Sequence, residues 1–165
     1  MTALNLELSE KKEIITNLLN RYTMVVDDHN RISEWPDFFD EISSYYIYTK
    51  ENYELGLPLA IVMDDSKGRI KDRIKAVQVL WKNHFDNHTT LHTISAPLIQ
   101  FLDEQMVEVT TNFTVSITKL DRGQYAFSGK YLDKVVLTKD KAAKFAERKV
   151  ILDCPVLPTY FVFPL

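Results

Sequence analysis

Three histidines and an aspartate lie within nine residues of this chain, in the stretch HFDNHTTLH (84–92). His84 and Asp86 form an H-x-D pair, and His88 and His92 follow at spacings of four residues. Two histidines and one carboxylate hold the iron of many oxygenases, and zinc accepts the same residue types. The stretch therefore raises the hypothesis of an iron or zinc site.

A metal site needs side chains that converge, and the local backbone decides whether these do. In a helix, His84 and His88 would share one face because they are four residues apart. In a strand, His88 and His92 would share a face but lie about 13 Å apart. Neighbouring asparagines favour a loop at this point. The alternative to a metal site is a polar connection from a helix to a strand, with His92 entering the sheet and satisfied by hydrogen bonds.

The composition fits one globular domain over residues 1–165, long enough to bury a core. A net charge of −3 provides no electrostatic attraction for nucleic acid. Cys154 is the single cysteine, which excludes an internal disulfide, a Cys-rich zinc site and a Cys-ligated iron–sulfur cluster in this chain. Without a signal-peptide pattern or an apolar run of about 20 residues, we expect a cytoplasmic protein that binds neither nucleic acid nor membrane.

Apolar spacing predicts three helices in the first half of the chain. The first begins after Ser9 and carries one apolar stripe: Ile14, Ile15, Leu18, Leu19, Tyr22, Val25 and Val26. The second has Ser33 as its cap and buries Trp35, Phe38, Phe39 and Ile42. The third starts at Ser66 and turns Ile70, Ile74, Val77 and Trp81 inward. Its other face, from Lys67 to Lys75, is basic, and we expect it to be solvated and partly paired with Asp64, Asp65 or Asp72.

The rest of the chain is predicted to be mainly strands. They cover 44–50, the apolar run 59–63, 90–102, 106–119, 124–139 and 144–153. Asp121-Arg122-Gly123 predicts a hairpin turn, and Gly129 within its strand predicts a bulge or a sharp bend. The pattern favours an α+β fold in which a curved antiparallel sheet wraps around the N-terminal helices.

Four stretches in order carry a family resemblance: EWPDFFDE (34–41), ENYELGLPLAIVMDDSKGRIKDRI (51–74), FSGKYLDKVV (127–136) and ERKVILDCPVLPTYFVFPL (147–165). Over roughly residues 14–165 the chain resembles the small (beta) subunit of Rieske-type aromatic-ring-hydroxylating oxygenases. Within that family it is most similar to small subunits of enzymes acting on aromatic carboxylates, such as salicylate 5-hydroxylase and terephthalate dioxygenase.

The resemblance implies a cone-shaped, nuclear-transport-factor-2-like fold and a non-catalytic structural role in aromatic catabolism. The family's large (alpha) subunit carries the Rieske [2Fe–2S] cluster and the mononuclear iron, and a reductase supplies electrons from NADH. In this family the small subunit holds no cofactor and packs with large subunits in an alpha-three beta-three hexamer. Small subunits that contact one another as a trimer are compatible with that arrangement. The resemblance therefore favours the polar connection over a metal site at 84–92. Leu91-His92 departs from the family pattern, in which arginine precedes the histidine.

A stand-alone enzyme is the alternative, because the cone-shaped fold also serves isomerases and dehydratases that use a pocket Asp or His as acid or base. Candidate groups for that chemistry are Asp28, His29, Tyr45, Tyr46 and Tyr48.

The C-terminal stretch CPVLPTYFVFPL (154–165) is strongly apolar, and its three prolines interrupt regular structure. Such a segment must be covered by the chain's own sheet or by a partner. We expect part of it to lie at a subunit interface, with Tyr160, Phe161, Phe163 and Leu165 as the candidate interface residues.

Overall fold

The computed structural model describes residues 3–80, 88–119, 122–155 and 163–165. In these residues the α-helices are Ala3–Val26 (α1), Lys50–Glu54 (α2) and Lys67–Leu80 (α3), and a 3₁₀ helix spans Ile32–Phe38. The strands are Phe39–Thr49 (β1), Val62–Asp64 (β2), His88–Ile94 (β3), Leu98–Phe101 (β4), Met106–Lys119 (β5), Arg122–Leu137 (β6) and Ala143–Leu152 (β7). The α+β class is confirmed. Within the described residues, no helix has the length and apolar character that a membrane span requires.

Helix α1 buries the predicted apolar stripe. Its buried members recur every three or four residues: Ile15, Leu18, Leu19, Tyr22, Val25 and Val26. The helix begins at Ala3, so Ser9 lies inside it and is not its cap. Most of residues 3–8 (ALNLEL) are strong helix formers, which explains the earlier start.

The second predicted helix is a short 3₁₀ helix that gives way to a strand. Its N-terminal flanking residue is Arg31, which makes no side-chain capping bond, so Ser33 is not the cap. Trp35 and Phe38 are buried as predicted. Ile42 was expected in the core but is 90% exposed, because the chain is already extended and its pairing with β7 is irregular between Phe39 and Ser44.

The strands form one sheet in the order β2-β1-β7-β6-β5-β3, and β4 also pairs with β5. The described pairs are antiparallel except β1 with β7, which is parallel. The expectation of a wholly antiparallel sheet is therefore wrong at this pair. Parallel neighbours need a long connection, and here it contains most of the helices and strands.

The strand predicted over 90–102 is divided into β3 and β4, which lie along the same edge of β5. Pro97 lies between them and has no N–H to donate to a ladder. The hairpin predicted at 121–123 falls partly outside the described residues, and Arg122 and Gly123 already belong to β6.

The helices pack on the inner face of the sheet through aromatic rings. The ring of Tyr22 on α1 meets Phe145 on β7 edge to face, with centroids 5.5 Å apart. Trp35 of the 3₁₀ helix meets Tyr45 on β1 in the same way, at 5.0 Å. Edge-to-face contacts of buried rings add specific attraction to the burial of apolar area.

Gly129 marks a close approach of backbones rather than a bulge. It pairs in register with Phe113 on β5 and with Leu152 on β7. The nearest irregularity of the β5–β6 ladder lies between Val115 and Ser116. A Cβ atom at position 129 would lie 2.1 Å from the main-chain oxygen of Ile151, so only glycine fits.

The centre of the inner face contains a fully buried ion pair. Arg148 on β7 donates from Nε and Nη2 to the two carboxylate oxygens of Asp133 on β6, at 2.8 and 2.9 Å. The guanidinium carbon lies 3.9 Å from the ring centroid of Tyr22, 4.1 Å from that of Tyr131 and 4.2 Å from that of Phe145. The pair therefore gains both bidentate hydrogen bonds and cation–π contacts.

Burial and attraction act in opposite directions on the two charges. Burial raises the pKa of the Asp133 carboxyl, and the Arg148 guanidinium acts to lower it. Burial alone would lower the pKa of Arg148, but the attraction and hydrogen bonds of Asp133 hold that pKa above its usual value. Each charge is tolerated in the core because the other is present.

We predict that Gly129→Ala destabilises the fold by about 1–3 kcal/mol, because the new methyl group must push β6 away from β7. Urea unfolding measures the loss. Gly68→Ala is the control, since its Cβ would meet no atom closer than 3.9 Å and position 68 is an exposed position in α3. That change should stabilise by about 0.5–1 kcal/mol. Equal stability of Gly129→Ala and the wild type would show that the strands are not as close as described.

We predict that Arg148→Met lowers the free energy of unfolding by about 3–5 kcal/mol, because it leaves the Asp133 carboxylate buried without a partner. The double variant Arg148→Met with Asp133→Leu should recover most of the loss. Lys134 and Glu147 are a matched control, since they face each other on the same two strands at 3.5 Å but are partly exposed. Lys134→Met should cost less than about 1 kcal/mol. A similar cost for Lys134→Met and Arg148→Met would contradict the role given to burial.

Candidate functional site

The four residues of the hypothetical metal site are only partly within the described chain. His84 and Asp86 lie outside it, and His88 is described only as the first residue of β3. His92 is buried on β3. Among the described residues, no group of three or more His, Cys, Asp or Glu side chains could hold a metal ion.

His92 is paired with a carboxylate from the end of α1. Asp27 Oδ1 lies 2.6 Å from His92 Nδ1, and Asp27 Oδ2 accepts a 2.7 Å hydrogen bond from the main-chain N–H of His92. The hydroxyl of Thr90 donates to Asp27 Oδ1 at 2.8 Å. A neutral imidazole facing an ionised carboxylate places its proton on Nδ1, which leaves Nε2 as an acceptor. His92 enters the sheet as predicted and is hydrogen-bonded through Nδ1 and its main-chain N–H. Its Nε2 is buried without a partner among the described residues, so the expectation of a fully satisfied side chain is met only in part.

Asp27 also closes the fold at the β3 edge. β3 is the last strand of the sheet path, and the N–H of an edge strand is otherwise open to pairing with another chain. Asp27 accepts a hydrogen bond from the main-chain N–H of His92, and this bond fixes the end of α1 to the strand. Asp27 was not predicted from the sequence, because 65 residues separate it from His92 and the helical pattern ends at Val26.

The end of the C-terminal stretch lies inside the chain's own core. The main-chain oxygen of Leu165 accepts a 2.5 Å hydrogen bond from the hydroxyl of Tyr22, and its N–H donates to the hydroxyl of Tyr45 at 2.9 Å. Trp35 Nε1 donates to the same Tyr22 hydroxyl at 2.9 Å. Leu165 is 3% exposed. Its side chain is therefore covered by the core of this chain.

The other three candidate interface residues are not shown to be buried in the core. Tyr160 and Phe161 lie outside the described residues. Phe163 is half-buried, and its ring stacks on His29 with centroids 4.4 Å apart. Their place at an interface stays a prediction.

The residues proposed for acid–base chemistry are not brought together. Asp28 accepts a 3.0 Å hydrogen bond from the N–H of Asn30 in the turn after α1. Tyr45 points into the core, where burial raises its pKa well above the usual value. Tyr46 and Tyr48 lie on the opposite face of β1, and His29 is on the surface. The buried pair of an acid and a histidine is instead Asp27 with His92.

The basic face of α3 is mostly a solvated helix face, as predicted. Arg73 pairs with Asp64 on β2 through two hydrogen bonds, and Lys75 pairs with Asp72 at 3.1 Å. Lys67 is the exception, because it is buried and donates to the main-chain oxygen of Phe39. Burial lowers the pKa of Lys67. The contacts of Lys67 and Arg73 fix α3 to β1 and β2, respectively.

Known proteins are similar in sequence to this chain along most of its length. The family model for the ring hydroxylating beta subunit matches residues 23–159. The small subunit of anthranilate 1,2-dioxygenase from Burkholderia cepacia is 31% identical over 149 residues, which cover 90% of either chain. The beta 2 subunit of the terminal oxygenase component of terephthalate 1,2-dioxygenase from a Comamonas species is 31% identical over 139 residues, or 84% of this chain and 88% of the relative.

A solved structure agrees with these matches. It is the beta subunit assigned to an aromatic-ring-hydroxylating dioxygenase of Novosphingobium aromaticivorans, which superposes with a TM-score of 0.82 at 26% identity. The alignment covers 93% of this chain and 96% of that one. The cone-shaped fold implied by the sequence is thereby confirmed. Because the family model, the relatives and the solved structure agree over nearly the whole chain, this chain belongs to the ring-hydroxylating beta subunit family.

Proposed function

We propose that this chain is the non-catalytic small subunit of a multicomponent Rieske non-haem iron oxygenase that hydroxylates an aromatic carboxylate in aromatic catabolism. The observation that carries the proposal is family membership along almost the whole chain, rather than at one motif. Anthranilate and terephthalate, the substrates in the names of the two relatives, are both aromatic carboxylates. That shared chemistry supports the substrate class.

The redox centres belong to a partner large subunit in this proposal. A Rieske [2Fe–2S] cluster needs two cysteines and two histidines, and this chain has only Cys154. The mononuclear iron is assigned to the same partner. The NADH that supplies the electrons is a cytoplasmic reductant, which supports a cytoplasmic location.

The assembly we propose is an alpha-three beta-three hexamer, in which the small subunits hold the large subunits in a fixed arrangement relative to one another. A rigid small subunit suits that role, because relative movement of its surfaces would be passed on to the large subunits. The buried ion pair, the clamp of Asp27 on β3 and the bonds of Leu165 to two tyrosines all tie distant elements together. Contacts between small subunits in a trimer are compatible with the same arrangement.

An apolar surface segment supports a partner on the outside of the fold. Residues 53–63 carry exposed apolar side chains, here called the outer apolar strip: Tyr53, Leu55, Leu57, Leu59, Ile61 and Met63. From position 59 to position 63 the exposed residues alternate with more buried ones, of which Val62 is one. Val62 is buried, whereas the leucines before it are exposed, so this extended segment carries apolar side chains on both of its faces. A row of exposed apolar side chains is typical of an interaction surface.

We predict that the purified chain binds no stoichiometric iron or zinc and turns over no aromatic carboxylate with any electron donor. The physical reason is that His92 is paired with Asp27, and among the described residues no three His, Cys, Asp or Glu side chains could hold a metal ion. Elemental analysis and product detection are the measurements. About one metal ion per chain, lost on His84→Ala or Asp86→Ala, would show instead that the stretch 84–92 is a metal site.

We predict that apolar residues of the outer apolar strip and of the C-terminal stretch can be replaced without harm to folding but with loss of assembly. The variants are Leu55→Ser with Leu59→Ser in the outer apolar strip, and Tyr160→Ser with Phe161→Ser in the C-terminal stretch. Burying one such side chain at an interface contributes about 1.5–3 kcal/mol, so each pair should weaken association with the large subunit by at least about tenfold. Size-exclusion chromatography of the co-expressed subunits, paired with thermal melting, measures both effects.

Val79→Ser is the matched control, because Val79 is also apolar and 75% exposed but lies on α3. It should change neither melting nor assembly. If the variant of the outer apolar strip assembles like the wild type, the strip is not part of the interface. If the Tyr160 and Phe161 variant assembles like the wild type, the C-terminal stretch is not part of it.

A further inference from the structure

Strand β4 has one open edge. It pairs with β5 and with no other described strand. Strand β3 lies along the same side of β5, but there Asp27 accepts a hydrogen bond from the main-chain N–H of His92. β4 is therefore the more open part of this edge of the sheet, and an open edge strand is a template for pairing with another chain.

The hydrogen bonds to β5 show which main-chain groups of β4 face the open edge. Leu102, just after β4, donates its N–H to the main-chain oxygen of Met106 at 3.0 Å. In an antiparallel ladder every second residue directs its N–H and C=O to the same neighbour. Gln100 therefore also faces β5, whereas Ile99 and Phe101 direct their main-chain groups to the open edge.

The side chains along residues 98–102, here called the edge segment, do not protect it. Leu98 is 72% exposed and Leu102 is 49% exposed, and Gln100 between them is exposed as well. No charged residue occurs from position 94 to position 102. Edge strands are usually protected from pairing by charged side chains, lysine above all. The edge segment is therefore both open and apolar.

Space is available on the inner side of the edge segment. The side chains of Ile99 and Phe101 point to that side and are half-buried against the core. Phe101 also borders an open cleft of about 810 Å³, whose lining includes Leu8 and Ile14 of helix α1. An added strand could therefore place apolar side chains beside Phe101.

The pattern of the edge segment, LIQFL, is the same in both directions. Leucines stand at its two ends, Gln100 at its centre, and a large apolar residue on either side of the centre. When two copies pair antiparallel about Gln100, Ile99 of one copy exchanges both main-chain hydrogen bonds with Phe101 of the other. Leu98 then lies opposite Leu102 of the second copy, so each exposed leucine meets an apolar partner.

The acidic residues after the edge segment favour the antiparallel direction. Asp103 and Glu104 follow it directly. The main-chain N–H groups of Gln105 and Met106 bond to the carboxylate of Asp103 and lower its pKa, so it is ionised. A parallel pair in register would place these acids beside their copies, and like charges directly opposite are destabilising. In the antiparallel pair Asp103 lies opposite Pro97, and the acids of the two copies are at opposite ends.

We propose that β4 pairs antiparallel with β4 of a second copy of this chain, about a two-fold axis at Gln100. Both copies use the same surface, so the arrangement closes at a dimer. A two-fold contact is not an element of a three-fold hexamer, so the dimer is a state of the small subunit that is free of large subunits. The inference does not rest on the proposed function and is tested on the full chain alone.

The first experiment measures the mass of the full chain by sedimentation velocity from roughly 1 μM to 1 mM, because a small interface gives a weak dimer. We expect a reversible dimer. Leu98→Ser should weaken it at least about tenfold, because it removes an apolar contact that occurs at both ends of the pair. Leu91→Ser is the control, since Leu91 is 60% exposed but lies on β3, and it should have no effect. A monomer at every concentration, or equal effects of the two changes, would overturn the proposal.

The second experiment tests the axis by charge exchange. Gln100→Lys and Gln100→Glu each place two like charges opposite each other in the dimer, so each variant alone should dimerise at least about tenfold more weakly. A mixture of the two variants in equal amounts should recover dimerisation. Glu108 faces position 100 within each copy, but that contact is the same in monomer and dimer and cannot produce the recovery. A mixture as monomeric as the separate variants would overturn a two-fold axis at Gln100.

Discussion

The pairing of Arg148 with Asp133 constrains the rest of the fold. Two charges without water are tolerated only when their hydrogen bonds are well formed, and these two are held by neighbouring strands in direct register. The guanidinium is surrounded by the rings of Tyr22, Tyr131 and Phe145, from helix α1 and strands β6 and β7. The register of the central strands and the seating of α1 therefore depend on the same interaction.

Two further contacts close the cone around this centre. Asp27 holds the end of α1 to the edge strand β3, and Leu165 places its main chain between the hydroxyls of Tyr22 and Tyr45. Both use polar groups to connect elements that are distant in sequence. These polar contacts lie inside the cone, and the apolar side chains of the outer apolar strip are exposed. This division suits a subunit whose role is to present surfaces to partners rather than to react with a substrate.

Local patterns predicted those elements whose residues alternate or recur regularly. The apolar stripe was sufficient to place the buried face of α1, and on β5 the alternating residues Val107, Val109, Phe113 and Val115 are likewise buried. The family resemblance supplied the arrangement of the elements. Pairings between distant segments could not be predicted, because no local pattern distinguishes Asp27 from Asp28 beside it. The parallel pairing of β1 with β7 was missed for the same reason, and Ile42 was misplaced because a 3₁₀ helix ends sooner than an α-helix would.

The most direct test of the account compares the large oxygenase subunit with and without this chain. Light scattering after size-exclusion chromatography would give the mass of each assembly, and oxidation of an aromatic carboxylate would give its turnover. We predict that a hexamer of three large and three small subunits forms only when this chain is present, with at least a tenfold higher turnover and with all of the iron in the large subunit. A large subunit that forms its own ring and turns over equally fast without this chain would contradict the structural role.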